Sequence, residues 1–589
     1  MRHVLGQDPV AARWAAVVEQ QAEQILTLPP LSPDWMHDPV ESGNAPVPLP
    51  LTSFGGDAAP ASALDIARLF LLRIQTLGIM WFAKGESRFR DRAREELMAV
   101  CRFPDWTGDE FLVTAETMCG AALGYDWLFR HLSPRQRAAV ADAIVVKGLT
   151  PGLHQFQRTA SWTNSRTNWN LVCNGALMLA TLSVAEDRPE LGAQIFRLAR
   201  KSVPIGFSMY RPDGGWIEGP GYWHYATQYA VYLVDSLETA LGTDFALGRT
   251  RGFGNTGLYR LHAAGPTGKL FNYADSEDHH SGGYWLFWLA RRYHHSVDAW
   301  VEEQHDKIHP MDLLWFDPNI KPPRLDSPPT RKTFAEAGVT MLRHAWSKAD
   351  GTYLGIKAGR NDSCVHAHYD LGSFVYENQG IRWAIDLGPD DYHLPNYFKP
   401  EGRVLYYRTN TLGHNTIVIN GGSQPPTARS TIIARRLTSS ASFVVLDLSN
   451  AYPETQKCLR AFALTGQSVF VIDEIDPTPE CETITWQMHT TATPEIRGNR
   501  ARIGCSGPDG TIHFLYARII EPSTAQFTVS DATPSGPPGQ NPNEGISKLL
   551  VTFTNPLMPL RLIVALTGED AEEDLRLPVE LALPLNVGK

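Results

Sequence analysis

Two histidines, an aspartate and a third histidine in the second half of the chain have the types and spacing of a metal-holding or proton-transferring site. His366 and His368 stand in HAHYDLGSF, Asp386 in the strand-like IRWAIDLG, and His414 in GHNTIVIN. Positions two apart on a strand face the same side, so His366 and His368 share a face. Asp386 and His414 come from later strand-like runs that can lie alongside. A His, Asp, His set suits a borderline divalent ion, zinc or, where water completes the shell, manganese. Neither the helical spacing of a zinc protease nor a paired CxxC is present, so an ion here is expected to organise structure and not to hydrolyse. The competing reading is that these are ordinary hydrogen-bonding side chains of a β-sandwich.

A second polar cluster lies in two loops of the first half. SWTNSRTNWN carries Asn164, Arg166, Asn168 and Asn170, and EGPGYWHY carries Glu218, Tyr222, His224 and Tyr225. The Gly-Pro-Gly turn is expected to place Tyr222 at a loop-to-helix junction, where side chains can face a cleft. Asn168 could equally be a helix N-cap, and Tyr222 and Tyr225 could be aromatic packing. Trp162, Trp169, Trp216 and Trp223 are either sugar-stacking platforms or core, with at most two of them expected as platforms.

The elements that must hold these clusters change character along the chain. From Leu64 to about Trp300, apolar runs with a period near 3.6 predict repeated helices, and Ser133 followed by Pro134 marks the start of one. After the Pro-rich FDPNIKPPRLDSPPTRK, short runs such as SFVYENQ, NTIVIN and QSVFVIDEI predict antiparallel strands. The expected class is multidomain α+β: an incomplete α/α toroid, then an antiparallel β-sandwich and a small C-terminal β region. The expected boundaries are 1–60 for an N-terminal helical wrap, 61–325 for the toroid, 326–495 for the sandwich and 496–589 for the C-terminal sheet.

With 589 residues and 43% apolar content the chain can bury large cores. A formal charge of −10 without a basic tract excludes nucleic acid as the expected partner. Acidic polysaccharide needs only a local basic cleft, for which Arg166, Arg360, Arg403 and Arg408 are candidates. The apolar runs are read as too short for a membrane span and the N-terminus as lacking a secretory leader. The expected location is therefore cytoplasmic, or periplasmic if a leader has been removed. Seven scattered cysteines predict no disulfide framework.

The ordered set HxHxDxGSF, RWAIDLG and GHNT resembles the heparinase II/III-like group of polysaccharide lyases, whose relatives include oligoalginate lyases and dermatan sulfate epimerase. YDWL, TNWNLVCNGA, DGGWIEGPGYWHYAT and FNYADS fit the same group, so the resemblance spans roughly residues 65 to 490. It implies β-elimination on a uronate-containing glycan, a glycosaminoglycan (hyaluronan, chondroitin or heparan type) or alginate, leaving a 4,5-unsaturated uronate. That reaction needs a neutralised carboxylate, a base for the C5 proton and an acid for the leaving O4. The resemblance makes Asn168 the carboxylate neutraliser, Tyr222 the acid and potential base, and His366 the second acid/base. His368, Asp386 and His414 match its ligands for a structural ion, zinc or else manganese.

Arg166, Trp169, Trp216, Tyr225, Arg360, Tyr397 and Arg408 are expected to line the substrate. Some members carry a histidine where this chain has Arg166, Thr167 or Asn168, which questions a separate histidine base. The expected partner is an acidic polysaccharide or oligosaccharide, with no nucleic acid and no membrane, and a homodimer left open. Alternatives are a uronyl C5 epimerase, a non-catalytic carbohydrate-binding protein, and hydrolysis by Glu218 with Asp213 or Asp275.

Overall fold

A computed structural model describes residues 8–33, 62–106, 110–279, 282–305, 307–321, 323, 328–346, 351–438, 442–507, 510–556, 558–570, 577–582 and 585. The chain divides into a helical unit, Met1–Gly214 with Trp223–Gly257 and Ser281–Pro323, and a β-rich unit, Gly215–Tyr222 with Leu258–His280 and Arg324–Lys589.

In the helical unit, α1 (Pro9–Thr27) packs on α2 (Ala63–Lys84), followed by α3 (Ser87–Cys101), α4 (Phe111–Leu128), α5 (Pro134–Ala143), α6 (Thr150–Gln157), α7 (Asn168–Ser183) and α8 (Pro189–Phe207). Two kinds of helix alternate, as a double-layered helical array requires. Fifteen of the 18 residues of α4 and 13 of the 16 of α7 are buried, against seven of 19 in α8. Helices that are apolar all round form the inner row α2–α4–α7, and amphipathic ones cover it. Ser133 accepts a hydrogen bond from the Gln136 N–H, so the expected start of α5 is a capping box with proline in the first turn.

One expectation is corrected here. α2 is long and apolar enough to cross a membrane, yet 83% of its apolar window is buried inside the protein, where it serves as a core helix. Of the expected wrap over residues 1–60, α1 is present and residues 34–61 lie outside the described residues. All seven cysteines are free, as their scatter predicts.

The β-rich unit holds three antiparallel sheets. The first runs β1 (Arg331–Phe334), β2 (Val339–Arg343), β3 (Tyr353–Lys357), β5 (Phe374–Asn378), β6 (Ile381–Ala384). The second has nine strands in the order β13 (Glu495–Arg497), β14 (Arg500–Ser506), β15 (Ile512–Glu521), β18 (Leu560–Thr567), β11 (Ser468–Pro477), β10 (Thr455–Thr465), β9 (Ser442–Asp447), β8 (Arg429–Leu437), β4 (Gly359–Arg360). The third is β16 (Thr528–Asp531), β17 (Ser547–Thr554), β12 (Thr483–Thr490), β7 (Ile417–Ile419). Inward side chains such as Phe374, Trp383, Phe462, Trp486, Leu515 and Val564 fill one core.

The expected division at residue 495 does not coincide with a sheet boundary. β18 pairs with β11 in seven residue pairs and β17 with β12 in eight, so the strands after 495 extend sheets begun before it. Nor is 61–325 one continuous helical region, because 215–222 and 258–280 group with the strands. The segment 258–280 is tied there by hydrogen bonds: Arg382 donates to the Lys269 carbonyl (3.0 Å) and Asn272 donates to the Asp386 carbonyl (3.1 Å).

A buried ion pair, Arg460 with Asp473 at 2.7 Å, also serves the site. Arg460 donates onward to the carbonyls of Gly372 (2.8 Å) and Asn415 (3.0 Å). HAHYDLGSF and GHNT are thereby fastened to the strand β10. Asn415 adds bonds to the carbonyls of Phe374 (2.7 Å) and Ile385 (2.8 Å), which fixes Asp386 and His414 relative to each other.

Candidate active site

Tyr222 is the third residue of α9 (Pro220–Leu241), and the turn before it has a steric cause. Gly219 has φ +87°, and a Cβ there would collide with Ser276 Oγ and the Tyr273 carbonyl, so only glycine fits. Pro220 begins the helix, and the Gly221 N–H donates to Ser276 Oγ at 3.1 Å. The Tyr222 ring so placed stacks on the His366 imidazole, with centroids 3.9 Å apart and planes at 23°. Its hydroxyl is 2.8 Å from that of Tyr392.

Behind this pair lies Asp275, fully buried. One carboxylate oxygen meets His366 Nδ1 at 2.9 Å. The other meets His368 Nε2 at 2.8 Å, Arg403 at 2.9 Å and the Tyr397 hydroxyl at 3.0 Å. Burial pushes the Asp275 carboxyl up, but the Arg403 guanidinium and the two histidine hydrogen bonds outweigh it and hold the carboxyl well below its ordinary range. An ionised carboxylate only accepts, so the histidine nitrogens facing it carry protons. With Nδ1 turned to Asp275, His366 presents Nε2 as the ring atom that can exchange a proton, and His368, pushed down first by burial, has its lone pair on Nδ1.

Burial, and next the Asp275 charge, push the Tyr222 hydroxyl well above its ordinary value. Tyr222 thus keeps its proton at neutral pH and is equipped as an acid.

FNYADS supplies three of the fastenings at once. Asn272 holds the Asp386 backbone, Asp275 holds both histidines, and Ser276 holds the turn before Tyr222. Ala274 adopts φ +58° between them, and the Asp275 N–H donates to the His366 carbonyl at 3.2 Å.

The expected metal trio is brought together. Ligand atoms of His368, Asp386 and His414 lie within 4.8 Å of one another, all buried. His414 Nδ1 is 3.0 Å from Asp386 Oδ2. His368 Nδ1 and His414 Nε2 have no hydrogen-bond partner among the described residues. Two buried nitrogens so left beside a carboxylate fit a divalent cation, since an unsatisfied buried polar atom costs about 1–3 kcal/mol. These residues can hold such an ion.

Several candidate substrate contacts are corrected. Trp216 is 0% exposed and Tyr225 2%, so each is core; Arg68 lies 5.0 Å over the Tyr225 ring. Tyr397 is buried and spends its hydroxyl on Asp275. Arg408 binds Asn543 at 2.8 Å and the Pro389 carbonyl at 2.9 Å, which makes it a loop fastener. Arg360 is exposed and paired with Asp362 at 2.8 Å. Arg403, a candidate for the basic cleft, is the buried counter-ion of Asp275. Asn168 begins α7 with Thr167, not Asn168, at the N-cap, and Asn168 is buried. Arg166 is exposed in the loop before α7, and Trp169, the second residue of α7, is half-buried.

Sequence reasoning named Asp275 only as a carboxylate for the hydrolytic alternative, not as the anchor of the two histidines, and it missed Tyr392. Asp275 had a signal, a single carboxylate inside an otherwise aromatic and small motif. Tyr392 had none, because its partner is 170 residues away.

The family model described as Heparinase II/III-like, C-terminal, matches residues 326–534, a stretch that contains His366, His368, Asp386 and His414. No curated protein sequence matches the chain. Among solved structures, the chain is similar to one titled heparinase III (13% identity, 95% of this chain and 86% of that one, TM-score 0.63). It is also similar to the heparan sulfate lyase HepC from Pedobacter heparinus (14%, 95% and 83%, TM-score 0.56). A third is the chondroitin AC lyase of Streptomyces coelicolor A3 (12%, 96% and 80%, TM-score 0.52). At such identities these structures establish a shared fold, helices followed by antiparallel sheets. Residues 326–534 thus match the Heparinase II/III-like C-terminal family, and the chain as a whole shares its fold with these lyases.

Proposed function

We propose that the protein cleaves a uronate-containing glycan by β-elimination, with a glycosaminoglycan of heparan type as the first candidate and alginate as the second. The observation that carries this reading is the proton-bearing Tyr222 stacked on a histidine whose inner nitrogen is held by Asp275, which leaves the outer nitrogen to take up a proton. His366 Nε2 takes the C5 proton, and the electron pair passes into the carboxylate. The pair then returns to form the C4–C5 double bond as the C4–O4 bond breaks, and Tyr222 gives its proton to O4. The proton on His366 passes to the adjacent Tyr222 oxygen, which restores both groups. Asn168 is assigned the neutralisation of the substrate carboxylate by its motif.

His368, Asp386 and His414 would hold a zinc ion, which when bound supplies a fixed positive charge that organises the strand carrying His366.

The test is the ultraviolet absorbance of the unsaturated uronate during separate incubation with heparosan, heparan sulfate, chondroitin sulfate, dermatan sulfate, hyaluronan and alginate. A rise with heparosan or heparan sulfate is expected. No rise with any of them, combined with deuterium uptake at C5 in deuterated water, would replace elimination by epimerisation.

A further inference from the structure

Phe398 is 40% exposed and Tyr392 39%, yet the segment that carries them is firmly fastened. The Asp390 carboxylate accepts from the Asn541 N–H at 2.9 Å, Arg408 donates to the Pro389 carbonyl at 2.9 Å, and Tyr406 donates to the Pro395 carbonyl at 2.6 Å. Tyr397 and Arg403, on either side of Phe398 in the chain, both bind Asp275. Arg403 also donates to the carbonyls of His366 (2.9 Å) and Ala367 (2.8 Å), which ties the position of Phe398 to the segment that carries His366. Apolar side chains scattered singly over a surface need no explanation, but two adjoining aromatic rings held at the rim of a site mark a contact surface.

The two rings form a corner beside the stacked pair of Tyr222 and His366. Phe398 meets the His366 imidazole nearly at right angles, with centroids 5.8 Å apart, and meets Tyr392 at 4.9 Å and 73°. Tyr392 in turn reaches the Tyr222 hydroxyl at 2.8 Å. Both exposed rings rest on the buried Tyr397, each with its centroid 5.2 Å away, and the rest of their surface is in water. His366 turns Nδ1 to Asp275, so a substrate carbon is met by its outer nitrogen. A six-membered sugar ring placed there comes within contact range of Phe398.

We infer that Phe398, backed by Tyr392, is the platform on which the reacting uronate ring stacks. A pyranose presents C–H groups on its faces and hydroxyls at its rim, so an aromatic ring takes a face while the rim keeps its hydrogen bonds. Phe398 thereby fills the role that the enclosed Trp216, Tyr225 and Tyr397 cannot. The inference rests on the proposed lyase function, because His366 and Tyr222 are what place C5 of the sugar. Phe398 itself brings neither proton nor charge. It holds the ring in the bound state and in the transition state alike, and its removal therefore acts on KM more than on kcat.

The test compares Phe398→Ala, Phe398→Leu and Phe398→Trp in the full chain. Leucine keeps most of the apolar volume and loses the flat face, whereas tryptophan keeps the face. Turnover of heparosan and alginate hexasaccharides is followed by the absorbance of the unsaturated uronate. Binding of the same two hexasaccharides is measured by calorimetry in the Tyr222→Phe background, where turnover is suppressed and the ring stack is kept. The alanine and leucine variants are expected to raise KM and weaken binding about tenfold, with kcat changed less than about threefold, and the tryptophan variant to stay within about threefold of the unaltered protein. Unchanged KM and binding in Phe398→Ala would overturn the inference, as would full retention of both in Phe398→Leu, which would reduce the contact to filling of space. A fall in kcat at unchanged KM would overturn it too, by making Phe398 a prop for His366 and not a contact of the sugar, and so would the absence of calorimetric binding of either hexasaccharide. Binding that depends on Phe398 without turnover would sink the lyase reading and leave the platform, whereas turnover with KM and binding independent of Phe398 would do the reverse.

Discussion

Asp275 and the trio His368, Asp386 and His414 adjoin one another through His368, yet they are completed in opposite ways. Four side chains converge on the two oxygens of Asp275, and its charge is answered by Arg403. The trio leaves two buried ring nitrogens without a partner among the described residues. The first is a closed network made by the protein; the second leaves two nitrogens that a cation could take. His368 joins them, giving its Nε2 hydrogen to Asp275 and leaving Nδ1 for the cation. An ion held there would act on His366 only through His368 and Asp275, supplying fixed charge and not contact with the reacting atoms.

The largest effect is expected from breaking the closed network. Asp275→Ala leaves the Arg403 guanidinium buried without its counter-ion and frees His366 to turn, so stability should fall by about 3–5 kcal/mol and lyase activity should disappear. Denaturant unfolding and the absorbance assay read the two losses separately. A stable Asp275→Ala protein would show that Arg403 finds water or another acceptor and that the network is not a unit.

Tyr222→Phe removes one hydroxyl and keeps the ring stack. The expected outcome is kcat lower by about 10²–10⁴-fold with nearly unchanged melting, since the half-buried hydroxyl loses only its bond to Tyr392. Activity near that of the unaltered protein would give the acid role to another group, with Tyr392 the nearest.

The open network is probed by removing the ion. His414→Ala should abolish the stoichiometric metal detected by mass spectrometry, and chelation of the unaltered protein should lower its melting temperature reversibly. Readdition of zinc at 100-fold excess over Kd should restore roughly 2.7 kcal/mol, and His414→Ala should not respond. Equal melting with and without metal would mean that the trio is closed by hydrogen bonds alone.

The parts of this arrangement that lie close in sequence were legible before any coordinates. His366 and His368 share a strand-like motif, the Gly-Pro-Gly turn put Tyr222 at a helix start, and periodicity separated helices from strands at the Pro-rich segment. The connections that close the site were not legible, because they join positions 91 to 170 residues apart and leave no local pattern. Exposure misled in the same way. Trp216, Tyr225 and Tyr397 have the right types to line a glycan, and only packing shows that each is enclosed. The strands after 495 read as a separate sheet because a Gly/Pro-rich loop interrupts them, whereas sheet membership is decided by pairing with β11 and β12.

A histidine outside both networks sharpens the contrast and predicts an effect that vanishes at neutral pH. His262 is 1% exposed, its Nε2 has no hydrogen-bond partner among the described residues, and no carboxylate answers it. Burial first, then the charges of Arg343 and Lys332, push it down to about 3. The unfolded chain takes up this proton below about pH 6.5 while the folded protein does not. Stability from this residue is therefore complete above pH 6.5 and is lost as pH falls toward 3, by about 1.4 kcal/mol per pH unit. His262→Leu should remove that slope from the pH dependence of unfolding while leaving the metal content and the Tyr222-dependent activity in place. An unchanged slope in the variant would show that His262 does not set the acid sensitivity of the fold and would pass that role to His309, which burial likewise pushes down to about 3.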